Sequence, residues 1–372
     1  MNDHHQKLYE YSKHIILSNQ HVSGAYVASP NFPTYHYCWF RDGAYIAYAM
    51  NLAGEHDSAR RFHAWSSQRI IENRDSIIRG IKRAKAGLHL DAKSILNTRY
   101  HLDGKPESDG SWPNFQLDGF GTWLWSLNEH KKIVKEPLPN KWMEAAGLTA
   151  DYLSILWQLP CYDCWEEFPN NIHPSSLAAI YGGLNAYNEI GGKITPNLLS
   201  TLKDRINEYA VLHGYFTKFL NDPSVDANLI SLALPYAVFS VNDKAVQETV
   251  SQIEKTLGIF GGIHRYAKDT YYGGGEWLIL TSWLGWYKVQ LSRIPNVGNA
   301  NLLRIQAEKY LDWCIDHSTI RSNEVWLPEQ VSEHMNSPEY LIQWEKKWGH
   351  SANPLLWSHA MYIILYTNLL QV

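Results

Sequence analysis

Cysteine is scarce in this chain of 372 residues: Cys38, Cys161, Cys164 and Cys314 are the only four. Cys161 and Cys164 form a lone C-x-x-C without a second pair at ligand spacing, so no metal site is expected. Four unpaired thiols fit a reducing compartment, and a cytoplasmic location is expected. Long apolar runs are also missing: no stretch approaches the roughly 18 residues of a membrane span. The N-terminal segment MNDHHQKLYEYSKHIIL has no basic region followed by an apolar run, so no secretory leader is expected. Nor is there an excess of one charge. Lys and Arg total 33 against 37 Asp and Glu, a net charge of −4 without a basic stripe, which argues against nucleic acid as a partner. A regular repeat period is absent, which counts against an open superhelix of stacked helix pairs. No linker or composition break divides the chain, and one domain over residues 1–372 is expected.

Convincing strand runs are lacking too; the periodicity is helical. It predicts helices over 5–20, 43–52, from Asp57 as a cap to about 71, 115–129, 140–158 and 174–190. More follow over 196–206, 226–238 with a kink at Pro235, 243–257 capped by Asp243, 276–291 and 301–316. The last runs from Asn353 as a cap to about 370. Residues 73–114 read as mixed and polar, with a small hairpin over 95–101 closed around Asp103-Gly104. About twelve helices in sequential pairs suit an all-α ring of six inner and six outer helices. Apolar residues at 45% supply the core.

What is abundant is aromatic: 16 Trp and 23 Tyr, more than core packing ordinarily requires, and stacking on sugar rings is one use for the surplus. The aromatic and charged residues cluster before alternate helices. Tyr35–Asp42 leads into the second predicted helix and Asp109–Pro113 into the fourth. Cys161–Phe168 leads into the sixth, Asp226-Ala227-Asn228 opens the eighth, Arg265–Tyr272 precedes the tenth and Leu327–Gln330 the last. In a closed ring those connections share one end, so residues far apart in sequence converge there. Glu166 and Glu329 would then face each other across a pocket. Two opposed carboxylates are what glycoside cleavage needs, one to protonate the leaving oxygen and one on the other face of the sugar. Taken singly, each cluster is equally ordinary as a turn, a cap or a structural ion pair such as Arg41-Asp42.

As a set and in this order, these motifs resemble the glucoamylases of glycoside hydrolase family fifteen. The marks are Tyr35…Trp39-Phe40-Arg41-Asp42, Trp165-Glu166-Glu167, Asp226-Ala227-Asn228, Arg265–Tyr272, Leu327-Pro328-Glu329-Gln330 and Trp357-Ser358-His359-Ala360, spread from about Ser23 to Tyr366. The resemblance implies an (α/α)6 barrel and an inverting mechanism without cofactor or metal. By motif, it implies Glu166 as general acid and Glu329 as general base, with Tyr35 near the base. Arg41 and Asp42 would hold the non-reducing glucose, with Trp39, Trp112, Trp165 and Trp357 as aromatic walls. Glu167 and Arg265 would contact the sugar on the leaving side. The family's N-terminal β-sandwich domain and starch-binding module are not seen. The expected partner is therefore a small soluble gluco-oligosaccharide, linked α-1,6 or α-1,4, with no membrane or nucleic acid involved. A related glycosidase for another linkage, such as a trehalase-like enzyme, and an inactive sugar-binding or regulatory domain are the alternatives. The glycine run 273–275 and the segment 343–350, with its two tryptophans, carry no assignment.

Overall fold

The structure, a computed structural model, describes residues 1–107, 112–220, 222–321 and 324–371. Of the predicted clusters, Asp109–Ser111 lies outside the described residues. Thirteen α-helices are present among them. The first six are α1 (Asp3–Ser18), α2 (Phe40–Leu52), α3 (His56–Glu72), α4 (Arg74–Lys85), α5 (Asp118–Val134) and α6 (Asn140–Leu156). Then come α7 (Pro174–Glu189), α8 (Leu198–Tyr209), α9 (Lys244–Leu257) and α10 (Leu278–Ser292). The last are α11 (Ala300–Asp316), α12 (Leu341–Trp348) and α13 (Leu356–Leu370).

Two kinds of helix alternate along the chain, and burial tells them apart. In α10 every residue except Gln290 is buried, because such a helix is covered on all sides. By contrast, α8 buries only Leu198, Leu202 and Ile206, a single i, i+4, i+8 stripe. The buried helices form a closed inner ring: α2 packs on α5, α5 on α7, α7 on the 3-10 helix Ala227–Leu232, that helix on α10, α10 on α13, and α13 back on α2. Each is preceded in sequence by an outer partner, in the order α1, α3, α6, α8, α9 and α11. The result is an (α/α)6 barrel, with no β-sandwich among the described residues. Helices α4 and α12 stand outside the six pairs.

The tightest inner contact, α5 on α7, depends on glycine. A Cβ at Gly121 would lie 2.2 Å from the Ala179 carbonyl oxygen, and one at Gly183 2.5 Å from that of Gly121. Gly121→Ala is expected to cost about 1–3 kcal/mol through overpacking, read as a lower urea midpoint at unchanged slope.

The sequence reading departs from the structure in several places. The eighth predicted helix, 226–238, is a six-residue 3-10 helix capped by Asp226, which accepts the Asn228 amide at 2.9 Å. Pro235 stops it instead of kinking it, since proline has no amide to continue the ladder. Helix α4 falls in the segment read as irregular. Ile77 is buried, and Ile81 and Ala84 on the same stripe pack against the core, but its charged residues make the segment read as polar. Helix α12 buries none of its residues. Asp57 lies in the first turn of α3 without capping it, and Asn353 donates to Thr319 at 2.9 Å rather than capping α13, which starts at Leu356. The small hairpin does close around Asp103-Gly104, with Tyr100 bridging Pro106 and the His101 amide on the Lys105 carbonyl at 2.9 Å, and the strand Arg99–Tyr100 pairs on its other side with Cys38–Trp39.

That pairing belongs to a pattern. Cys38–Trp39 leads directly into α2, and Glu276–Trp277, leading into α10, pairs with Gln330–Val331. An Asp226–Tyr266 bridge joins two more connections. The loops that enter the inner helices are thus tied together at one end of the barrel.

Candidate active site

At that end the barrel holds a cavity of about 520 Å³. All the residues singled out in the sequence line it: Tyr35, Trp39, Arg41, Asp42, Trp112, Trp165, Glu166, Glu167, Arg265, Glu329 and Trp357. The floor is formed by buried groups, among them Arg41, Asp42 and Trp357, while the rim includes the exposed Trp348.

The loop Cys161–Phe168 presents Glu166 through a tight turn built by Asp163. The Asp163 carboxylate accepts the amides of Trp165 at 3.0 Å and Glu167 at 2.9 Å, while its carbonyl accepts the Glu166 amide at 3.0 Å. This forces Glu166 into the left-handed region, φ 66°, a conformation non-glycine residues keep only when their surroundings over-determine it. The Trp39 indole N–H then donates to Glu166 Oε1 at 2.6 Å. Trp165 is held in turn by its own indole N–H on Asp226, at 3.0 and 3.2 Å. Lys218, itself buried, bonds Asp226 and lies 3.7 Å from Asp163. Asp163 is therefore a structural support for the turn, backed by a buried lysine that the sequence reading missed.

Glu167 faces another group. Its Oε2 accepts the Tyr266 hydroxyl at 2.5 Å and its Oε1 an Arg265 N–H at 3.3 Å. Arg265 forks onto Asp269 at 2.5 and 2.7 Å, which holds its guanidinium in one plane.

Also lining the cavity, Glu329 is anchored by its amide on the Ala352 carbonyl at 2.9 Å. Each of its oxygens has a hydroxyl donor: Tyr35 on Oε1 at 2.9 Å and Ser351 on Oε2 at 3.2 Å. The Tyr35 hydroxyl also lies 2.8 Å from that of Tyr271. With its single proton directed at Glu329, Tyr35 accepts from Tyr271, so the two phenols form a directed chain toward the carboxylate.

Burial raises both carboxyls to about 7. Desolvation is the main cause in each. It is opposed at Glu166 by the Arg41 charge and the Trp39 N–H, and at Glu329 by Tyr35, the Arg265 charge and Ser351. The donors separate the two groups. Both Glu329 oxygens are hydrogen-bonded by hydroxyl donors that favour a carboxylate, whereas Glu166 receives the Trp39 indole N–H on Oε1 and the Gln116 side chain also favours its charged form.

Arg41 and Asp42 sit in the first turn of α2. Arg41 reaches Gln116 at 3.1 Å, Asp118 at 3.3 Å and Asp42 at 3.4 Å, and lies 5.4 Å from the Trp357 ring centre. Arg41 Nε and Asp42 Oδ2 are buried and make no hydrogen bond among the described residues, Asp42 Oδ2 having only the 3.4 Å ion pair with Arg41. Such orphaned atoms suit a polyhydroxyl ligand, which offers donors and acceptors together. Trp112 packs edge-on to Trp39 at 5.9 Å, with the Arg99 guanidinium 3.4 Å from its ring centre.

Tyr271, Trp277, Trp344, Lys347 and Trp348 also line the cavity and were not assigned from sequence. Tyr271 lies within a quoted motif, and Trp344 and Trp348 stand four residues apart, but helical spacing alone does not separate a rim from a core. Among the described residues no group of three or more His, Cys, Asp or Glu side chains could hold a metal ion, and all four cysteines are unpaired. No helix of the described residues is long and apolar enough to cross a membrane.

The chain resembles several known proteins over most of its length. It is 33% identical over 373 residues to the isomaltose glucohydrolase of Kribbella flavida, covering 96% of this chain and 92% of that protein. A solved wild-type glycosidase superposes with a TM-score of 0.90 at 32% identity, and a variant glycosidase in complex with glucose with 0.88 at 31%, each covering 99% of both chains. A bacterial glucoamylase complexed with acarbose shares the fold, with a TM-score of 0.68 at 18% identity over 100% of this chain and 56% of that one. The family model described as glycosyl hydrolases family 15 matches residues 3–367, and the chain belongs to that family.

Proposed function

We propose that the chain is an exo-acting, inverting α-glucoside hydrolase. It releases β-glucose from the non-reducing ends of short α-1,6- or α-1,4-linked gluco-oligosaccharides, with α-1,6 preferred. The observation that carries the reading is the pair of buried glutamates lining one cavity, Glu329 held by two hydroxyl donors and Glu166 held by the Trp39 indole, each raised by burial to about 7. The likeness to an isomaltose glucohydrolase supports the linkage.

In this reading the terminal glucose enters first and meets Arg41 and Asp42 at the floor, which limits attack to chain ends. Glu166 gives its proton to the glycosidic oxygen as the bond to C1 breaks. Glu329 takes a proton from a water whose oxygen bonds C1 from the opposite face, so the anomeric configuration inverts. Tyr35, fed by Tyr271, holds the Glu329 carboxylate toward that water. Trp39 orients Glu166, and Trp112, Trp165 and Trp357 wall the site. Glu167 and Arg265 meet the leaving sugar. Two carboxyl groups suffice, without metal or cofactor. Residues 1–372 act as one catalytic domain, and the four thiols support a reducing, cytoplasmic setting.

The test is the anomeric form of the first product. Proton NMR during early hydrolysis of isomaltose is expected to show β-glucose before mutarotation; α-glucose appearing first would sink the inverting mechanism. Maltose and trehalose run alongside separate the linkages, and an inactive protein that still binds glucose would mark a binding domain.

A further inference from the structure

We propose that α12, a helix outside the six pairs, adds an aromatic platform to the leaving side of the site beside Glu167 and Arg265, with Trp348 as the surface on which the second sugar ring stacks. This rests on the exo-hydrolase reading above and adds which element holds the aglycone. Three observations lead there. First, α12 fully buries none of its eight residues, and only Leu341 and Trp344 pack partly against the core. Second, its cavity-lining residues are Trp344, Lys347 and Trp348, at i, i+3 and i+4, which is one helix face. That face turns toward the opening instead of toward solvent. Third, the two tryptophans differ. Trp344 is explained by packing: it meets Tyr271 edge-on at 5.0 Å and stacks on Tyr272 at 6.0 Å. Tyr272 also fastens the end of the helix, donating to the Gly349 carbonyl at 2.8 Å. Trp348 has no such role. It is 39% exposed and, of the described side chains, only Lys347 is recorded over its ring, with Nζ 4.9 Å from the centre.

The cavity has a buried floor and a single class of exposed aromatic at its edge. With the terminal glucose seated among the buried groups, the next ring lies toward the exposed edge of the cavity, which Trp348 lines. An indole face matches the C–H face of a pyranose, and Lys347 beside it brings an ammonium donor within reach of hydroxyls. Because Trp344 contacts Tyr271, the platform is also linked to the hydroxyl chain that ends on Glu329, which sets the second ring against the reacting centre.

The experiment compares two substrates in Trp348→Ala and Trp348→Phe. Isomaltose places a sugar on the leaving side; α-glucosyl fluoride places one atom there. In Trp348→Ala, kcat/KM on isomaltose is expected to fall about tenfold relative to that on α-glucosyl fluoride, chiefly through KM, and Trp348→Phe should restore most of the ratio. A ratio unchanged in Trp348→Ala, or one not restored by phenylalanine, overturns the proposal. Failure of the unmutated protein to hydrolyse either substrate would instead overturn the functional reading itself.

Discussion

Replacing Glu329 by glutamine is expected to lower kcat on isomaltose by about 10²–10⁴-fold, the range for losing a positioned general base, and to lower it on α-glucosyl fluoride by a similar factor. The reason lies in what an amide can do at this place. The substituted side chain would keep its size and could accept from Tyr35 on its oxygen while its NH2 donates to the Ser351 hydroxyl, but it cannot take a proton from water. Every substrate needs that water, whatever its leaving group. KM should change little if, as proposed, Arg41, Asp42 and Trp357 hold the sugar independently. Measuring both substrates by glucose release decides the matter: near-normal turnover of either would remove Glu329 from the role. A circular dichroism melt guards against a folding artefact, since Glu329 is buried and its backbone bond to Ala352 does not involve the side chain.

Glu166→Gln should behave differently, and the difference is the point of the second prediction. On isomaltose the loss is again about 10²–10⁴-fold, because the departing glucose oxygen must be protonated. On α-glucosyl fluoride the loss should be much smaller, because fluoride departs without a proton. The pH profile separates the roles further. Burial brings Glu166 and Glu329 both to about 7, and two such groups on one cavity titrate as a pair. Only the singly protonated pair is productive, so kcat/KM on isomaltose should follow a bell centred near neutral pH. Below it, Glu329 becomes protonated and the base is lost; above it, Glu166 is deprotonated and the acid is lost. In Glu166→Gln assayed with α-glucosyl fluoride the alkaline fall should vanish while the acid fall remains. An alkaline limb that persists would assign it to another group and leave Glu166 without its role.

Much of this arrangement was legible before the fold. Tyr35, Trp39, Arg41, Asp42, Glu166, Glu167, Arg265 and Glu329 sit in clusters that recur before every second helix, and in a ring that periodicity alone puts them at one end. The helices read best were those with a clear stripe or cap, such as α9, where Asp243 accepts the Ala245 amide at 2.8 Å. The reading failed where the pattern was weak. Helix α4 is dominated by charge, and α12 has an apolar face that serves a cavity instead of a core. At 226–238 the apolar residues promised an α-helix, but Asp226 at its start and Pro235 near its end leave room only for a short 3-10 turn.

Asp163 and Lys218 show a different limit. An aspartate two residues before a tryptophan reads as an acidic turn, and a lysine in a much later segment reads as solvent-facing. Their meeting behind the Glu166 turn depends on the chain from α8 folding back against it, which no local pattern encodes.

The sequence by itself determined the kind of helix at most positions, the alternation of buried and half-buried helices, and the residue types available at the connections. Those are local properties of spacing and chemistry. Only the tertiary structure decided which groups meet: the Tyr271–Tyr35–Glu329 chain, the indole on Glu166, the forked Arg265, and the turn of Trp348 toward the opening. The first two are contacts between segments far apart in the chain, and Arg265, though forked onto the nearby Asp269, also reaches Glu167 98 residues away; closure of the ring sets these meetings. The chemistry of a carboxyl follows from its surroundings, and its surroundings exist only once the ring has closed.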